Sequence, residues 1–154
     1  METKVIDFLI GLPLFDELSG SELKIVERHF NYLEYAPGET IFKEGDKGDH
    51  VCFVASGTVD IVKTSKAGET VVIAMLSKSR SIGEMSIIDK APRSATAIAR
   101  THVKMVTMTD RGFHQLQETF PRIGIKILMG LARLLSMNLR KASARLMDYM
   151  LPMG

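Results

Sequence analysis

The spacing of hydrophobic positions changes twice along the chain. Over 1–34 it is helical: in SGSELKIVERHF, Leu23, Ile25, Val26 and Phe30 follow a cap candidate at Ser19 or Ser21. The preceding GLPLF breaks that spacing at Pro13. Over 35–109 the pattern becomes short β-rich runs. HVCFVA, TVDIVKT and TVVIAML are rich in valine and isoleucine, and SATAIAR and HVKMVTM continue them. Turn-forming PGE, EGDKGD, ASG and KAGE part these runs. Many short strands separated by turns predict an antiparallel sandwich, jelly roll or barrel.

From Asp110 the helical spacing returns. DRGFHQLQETF has Asp110 as its expected N-cap, with Phe113, Leu116 and Gln117 at i, i+3, i+4. Pro121 is well placed to start a final helix. Within it Leu128, Leu131, Leu135, Leu139, Ala142, Leu146 and Tyr149 lie three or four residues apart. That seam runs for about eight turns and is longer than one small sheet face needs. It predicts a homodimer through the helix 122–150. The predicted fold class is α+β: a jelly-roll-like antiparallel β-roll flanked by N-terminal helices and a long C-terminal helix. A length of 154 residues suits one domain over 1–154, with zones 1–34, 35–109 and 110–150.

Composition narrows the function classes. Hydrophobic residues make up 45% and charged residues 25%, an ordinary globular balance. No stretch approaches the roughly eighteen apolar residues of a membrane span. The N-terminus METKVIDFLIGLPLFDELSG carries Glu2 and Asp7 and does not read as a signal peptide. The net charge of +2 is too small to argue for nucleic acid. From Glu118 onward, Arg122, Lys126, Arg133, Arg140, Lys141 and Arg145 outnumber Glu118 and Asp148 by four. The plain reading is the wet face of a helix.

Cys52 is the single cysteine, so an intrachain disulfide is impossible and the cytoplasm is the default compartment. Lying in an apolar run without a basic activator, it reads as a buried small hydrophobe. His29, His50, His102 and His114 lack metal-ligand spacing, so no metal is expected. No nucleophile and base stand in recognisable array, and an enzyme is not expected.

The candidate chemistry lies in IGEMSIIDKAPRSATA, residues 82–97. Gly83 permits a sharp turn. EMSIIDK then has room for one or two helical turns, halted before Pro92. Backbone amides at the start of such a turn attract an anion, and Arg93 returns to the same place with a guanidinium. Ser86, Ser94 and Ala95 are small enough to leave space. Glu84 would repel the anion, so it either accepts a hydrogen bond from a sugar hydroxyl or pairs with Arg93 to close the loop. Spacing leaves both readings open.

The same stretch resembles the phosphate-binding cassette of cyclic nucleotide-binding domains, matching from Ile82 through Gly83, Glu84, Met85, Ser86, Ile87 and Ile88 and again at Pro92, Arg93, Ser94, Ala95 and Thr96. Upstream, PGETIFKEGDKGDHVCFVASGTVDIV resembles the family's turn-and-strand signature, with Gly38, Gly45, Gly48 and Gly57 in place. The resemblance covers roughly residues 8–150 and implies a β-roll of about eight strands. It implies that Arg93 pairs with the cyclic phosphate and that Glu84 holds the ribose 2′-hydroxyl. Amides near Met85 and Ser86 complete the cradle, Gly83 gives access, and Ser94 donates to the phosphate or approaches the base.

The ligand so implied is cAMP or cGMP. Serine at 94 leans to cAMP, because cGMP-preferring members often carry threonine there. In members similar to the catabolite activator protein, the last helix pairs two protomers and supplies a polar residue that reads adenine. The matched frame places Asn138 near that position, with Leu134 and Leu135 as apolar lids. Asn138 read without the resemblance is a polar break that fixes the register of the helix seam. The sequence stops where transcription-factor members continue into a helix-turn-helix domain, so direct nucleic-acid binding is not expected, and the chain is either a stand-alone sensor acting on an effector protein or a domain of a longer chain. The alternative is a protein-interaction module of the same fold with a lost or changed ligand. Haem-based gas sensing would need His50 or His102 to face the pocket.

Overall fold

The computed structural model describes residues 5–150; residues 1–4 and 151–154, the two ends of the expected 1–154 unit and the site of Glu2, lie outside it. The chain opens with α1 (Val5–Ile10), a 3-10 turn (Pro13–Phe15) and α2 (Gly20–Glu27). Of the two cap candidates, Ser19 is the one used. Its hydroxyl accepts from Glu22 N–H while the Glu22 side chain accepts from Ser19 N–H, a reciprocal capping box.

Eight strands follow: β1 (Asn31–Tyr35), β2 (Thr40–Phe42), β3 (His50–Ser56), β4 (Val59–Thr64), β5 (Thr70–Leu76), β6 (Ser81–Ile82), β7 (Thr96–Ala99) and β8 (Val103–Thr109). They form two antiparallel four-stranded sheets, ordered β1-β8-β3-β6 and β2-β7-β4-β5. The short helix α3 (Ser86–Asp89) interrupts the roll between β6 and β7. Helices α4 (Asp110–Thr119) and α5 (Pro121–Met150) close the chain. This is the expected α+β architecture.

Two local expectations need correction. Residues 31–34 are not helical, because β1 pairs with β8 residue for residue from Asn31↔Thr107 to Tyr35↔Val103. Pairing with an available sheet edge overrides a weak local helical preference. The N-cap of α4 is Thr109, whose side chain accepts from Gly112 N–H, and Asp110 is the first helical residue.

Alternation along β3 and β8 builds two cores. Val51, Phe53, Val106 and Met108 face the helices, where Phe15, Phe30 and Phe53 meet with ring centroids 5.9–6.2 Å apart. Cys52, Val54, Val103 and Met105 face the interior of the roll with Phe42 and Ile82. Both faces of these strands are buried, which is why HVCFVA reads as a continuous apolar run. The Cys52 thiol is pushed up to about 12, chiefly by burial, as suits a small core hydrophobe.

The N-terminal part of α5 packs on the domain through Ile123, Ile127 and Leu131. Gly130 lets the 3-10 turn approach closely: a Cβ there would stand 2.2 Å from Leu14 O. Lys126–Glu22 (2.8 Å) and Arg133–Glu17 (2.9 Å) pin the same part of the helix. Beyond it Leu139, Leu146 and Tyr149 are exposed.

Candidate functional site

The two sequence blocks meet around Arg93. The EGDKGD loop clasps its backbone: Arg93 N–H donates to Asp46 O (2.8 Å), and Arg93 O accepts from Gly45 N–H (2.8 Å). Gly48 makes the approach possible, since a Cβ there would stand 2.1 Å from Ala91 O. The Arg93 side chain is buried, with 5% exposed. Its Nη2 donates to His50 O at 2.6 Å, and its Cζ lies 4.3 Å from the centroid of the Phe42 ring. Nε and Nη1 have no hydrogen-bond partner among the described residues.

Gly83, at φ +79°, sits directly against this guanidinium, and a Cβ there would lie 1.8 Å from Nη1. Glu84 follows at the rim, where its Oε2 accepts from Ser81 Oγ at 3.2 Å. It does not pair with Arg93, so the loop-closing ion pair is set aside. Ser86 N–H is engaged by Gly83 O (3.0 Å), whereas the Glu84 and Met85 amides have no partner among the described hydrogen bonds.

These residues line one cavity of about 330 Å³. Gly83, Glu84, Met85, Ser86, Arg93, Ser94 and Ala95 all contribute to its wall, with Phe42, Ile61, Leu76 and Ile82 as an apolar back. Asn138 stands apart from it. With Leu134, Met137 and the 3-10 turn it lines a second cavity of about 340 Å³, whose wall shares Ser81 and Glu84 with the first. Leu135 is half-buried outside both walls, because it faces a different side of α5 from Leu134.

His50 and His102 line neither cavity; their imidazoles lie 2.8 Å from Asp49 and 3.6 Å from Glu34. The hydrogen bond from His50 holds the Asp49 carboxyl below its usual range. Among the described residues, no group of three or more histidine, cysteine, aspartate or glutamate side chains is arranged to hold a metal ion. No described helix is long and apolar enough to cross a membrane.

The cassette is tied to the C-terminal helices. Asp110 N–H, at the start of α4, donates to Asp49 O (2.8 Å), one residue before the carbonyl that holds Arg93. Lys90, just past α3, lies 3.9 Å from the Asp110 carboxylate. Phe42, Ser81 and the His50 carbonyl were not singled out from the sequence. Only Phe42 carried a signal, as the inward aromatic of ETIF within the first block.

Residues 32–120 match the family model described as "Cyclic nucleotide-binding domain". The chain belongs to this family. It is 32% identical over 136 residues to the cyclic AMP receptor protein of Thermus thermophilus, covering 88% of this chain and 61% of that protein. It is 32% identical over 114 residues to a cAMP-dependent protein kinase regulatory subunit of Mycosarcoma maydis, covering 71% of this chain and 22% of the relative. The chain thus spans less than two thirds of the length of either curated relative. Among solved structures, a cyclic nucleotide-binding domain from Methylobacillus flagellatus superposes with a TM-score of 0.81 at 26% identity, covering 98% of this chain and 83% of that one. The N-terminal domain of a transcriptional regulator from Streptomyces coelicolor superposes with a TM-score of 0.77 at 31% identity, covering 86% and 94%.

Proposed function

We propose that this chain is a non-enzymatic sensor unit that binds a cyclic mononucleotide, cAMP in preference to cGMP, and relays binding through α5. The observation that carries the reading is Arg93. A buried guanidinium with two unpartnered N–H groups is costly unless an anion completes it. A cyclic phosphate in the 330 Å³ cavity supplies that charge and accepts from Nε and Nη1. The Glu84 and Met85 amides add donors from the turn, Ser86 and Ser94 add hydroxyls, and Ala95 leaves room. Glu84 accepts from the ribose 2′-hydroxyl at the rim and does not face the phosphate. Asn138, across the shared wall at Ser81 and Glu84, offers both a donor and an acceptor to the adenine edge. The names of the two curated relatives, both of which specify cAMP, support that preference.

Neutralising Arg93 draws on the His50 segment, which is bonded to the start of α4 and so reaches α5. The free part of α5 pairs with a second copy, and its changed position is what an effector protein reads. The site of action is the cytoplasm, in keeping with a single, buried cysteine. A ligand shifts such an equilibrium only by its differential affinity for the two states.

Calorimetric titration with cAMP, cGMP, 2′-deoxy-cAMP and a cyclic dinucleotide tests the reading. The expected order is cAMP, then cGMP, with 2′-deoxy-cAMP weakened because Glu84 loses its partner. Absence of binding by all four at millimolar concentration would overturn it and leave the interaction-module alternative.

A further inference from the structure

Phe42 belongs to a strand of three residues at the edge of its sheet. The pairing of β2 with β7 slips between Thr40 and Phe42: Thr40 faces Ile98, yet Phe42 faces Ala97. One extra residue is therefore accommodated in β2, and such a bulge re-aims the side chains beside it. Here Phe42 is turned into the roll, with 8% exposed, and its ring lies beneath the Arg93 guanidinium. A leucine would fill the same core volume among Cys52, Val54 and Ile82. Only an aromatic face attracts a cation. Arg93 makes one hydrogen bond from its guanidinium, to His50 O, so contact with Gly83 and with the Phe42 ring supplies the rest of its restraint.

We infer that Phe42 is a positioning residue for the cyclic phosphate: its ring face holds the Arg93 guanidinium in place in the cavity wall before any ligand arrives. This rests on the reading of Arg93 as the phosphate partner. Preorganisation of this kind raises affinity by lowering the ordering cost at binding.

The test replaces Phe42 by pentafluorophenylalanine, which keeps the ring's shape and reverses the charge of its face, and compares it with Phe42→Tyr and Phe42→Leu. The first readout needs no nucleotide. In the ¹⁵N-labelled chain the Arg93 Nε–H resonance, assigned by its loss in Arg93→Lys, is expected to be shifted upfield by the ring and slow to exchange. Phe42→Tyr should keep that signature. Phe42→Leu and the fluorinated ring should speed that exchange. The second readout is calorimetry: cAMP affinity should fall about tenfold with the fluorinated ring or leucine, and about twofold or less with tyrosine. An ordinary, fast-exchanging Nε–H in the unmodified chain overturns the inference, and so does unchanged affinity with the fluorinated ring. If cAMP fails to bind the unmodified chain, the functional reading fails, and the Nε–H signature alone still decides whether Phe42 holds Arg93.

Discussion

Gly83 and Arg93 occupy the space of a single side chain: a Cβ on residue 83 would lie 1.8 Å from Arg93 Nη1. The backbone at Gly83 is also in the left-handed region, at φ +79°. Gly83→Ala should therefore act twice. Strain costs ~1–2 kcal/mol of stability, because an L-residue is disfavoured in that conformation. Independently, the methyl group must push the guanidinium off its axis, so cAMP binding should weaken by at least tenfold. Urea denaturation and calorimetry on the same preparation separate the two effects. A variant that binds cAMP as tightly as the original chain would show that Nη1 does not meet the ligand.

A second prediction sets function against stability. The buried Arg93 side chain has one hydrogen bond, one aromatic contact and two unpartnered N–H groups. Replacing an incompletely satisfied buried charge with an apolar side chain of similar length is often neutral or stabilising. Arg93→Met is expected to melt at the same temperature as the original chain or higher when no nucleotide is added. It should also lose the upward shift in Tm that saturating cAMP gives the original chain, a shift worth ~2.7 kcal/mol at a hundredfold excess over Kd. Thermal scans with and without cAMP check both halves. A large loss of stability without nucleotide would mean that Arg93 is a structural residue.

Particular residues show how far the sequence could be read. HVCFVA and HVKMVTM announced β3 and β8 because both faces of those strands are buried. The pattern could not announce β1, since four of its five positions are exposed and its strand character comes from pairing with β8. Ser19 and Ser21 were equivalent as letters; the reciprocal bonds with Glu22 choose between them. At the site, Gly83, Glu84 and Arg93 were legible because the chain brings them together locally. The ring of Phe42 and the carbonyl of His50 reach Arg93 from 51 and 43 positions away, through sheet register that no local spacing encodes. Asn138 is the intermediate case. Its place in the matched frame put it near the pocket, yet it lines the adjoining cavity and meets the first only at the shared Ser81–Glu84 wall.

The anchor of α5 should depend on pH. Glu22 Oε1 accepts from Lys126 Nζ at 2.8 Å, and that bond, with the capping bond from Ser19, holds the Glu22 carboxyl below its ordinary value. A carboxyl whose pKa is lower folded than unfolded adds stability in full above the unfolded value, about 4.3. That contribution fades as pH falls through the folded value. Thermal unfolding followed from pH 6 to pH 3 should therefore show a loss that Glu22→Gln lacks, because glutamine has no proton to gain. Parallel curves for the two proteins would show that the bond adds nothing to stability.

The free part of α5 supports the last prediction. Leu139 is 69% exposed and Leu146 is 59% exposed, on a helix whose buried contacts end near Leu131. Substituting such positions should leave a lone protomer's stability almost unchanged, since little apolar area is lost from its own core. If these leucines meet their counterparts in a second copy, Leu139→Glu with Leu146→Glu places like charges in the seam and should convert a dimer to a monomer. Sedimentation velocity across a concentration series reads the change, and unaltered thermal unfolding of the dilute protein confirms that the fold survives. The same variant separates the two parts of the proposed mechanism. The cassette residues all belong to one protomer, so cAMP affinity should stay within about threefold, while protection of 139–150 from hydrogen exchange should collapse. A sedimentation profile that is monomeric before the substitution would remove pairing from the mechanism and leave the effector itself as the surface that covers this helix.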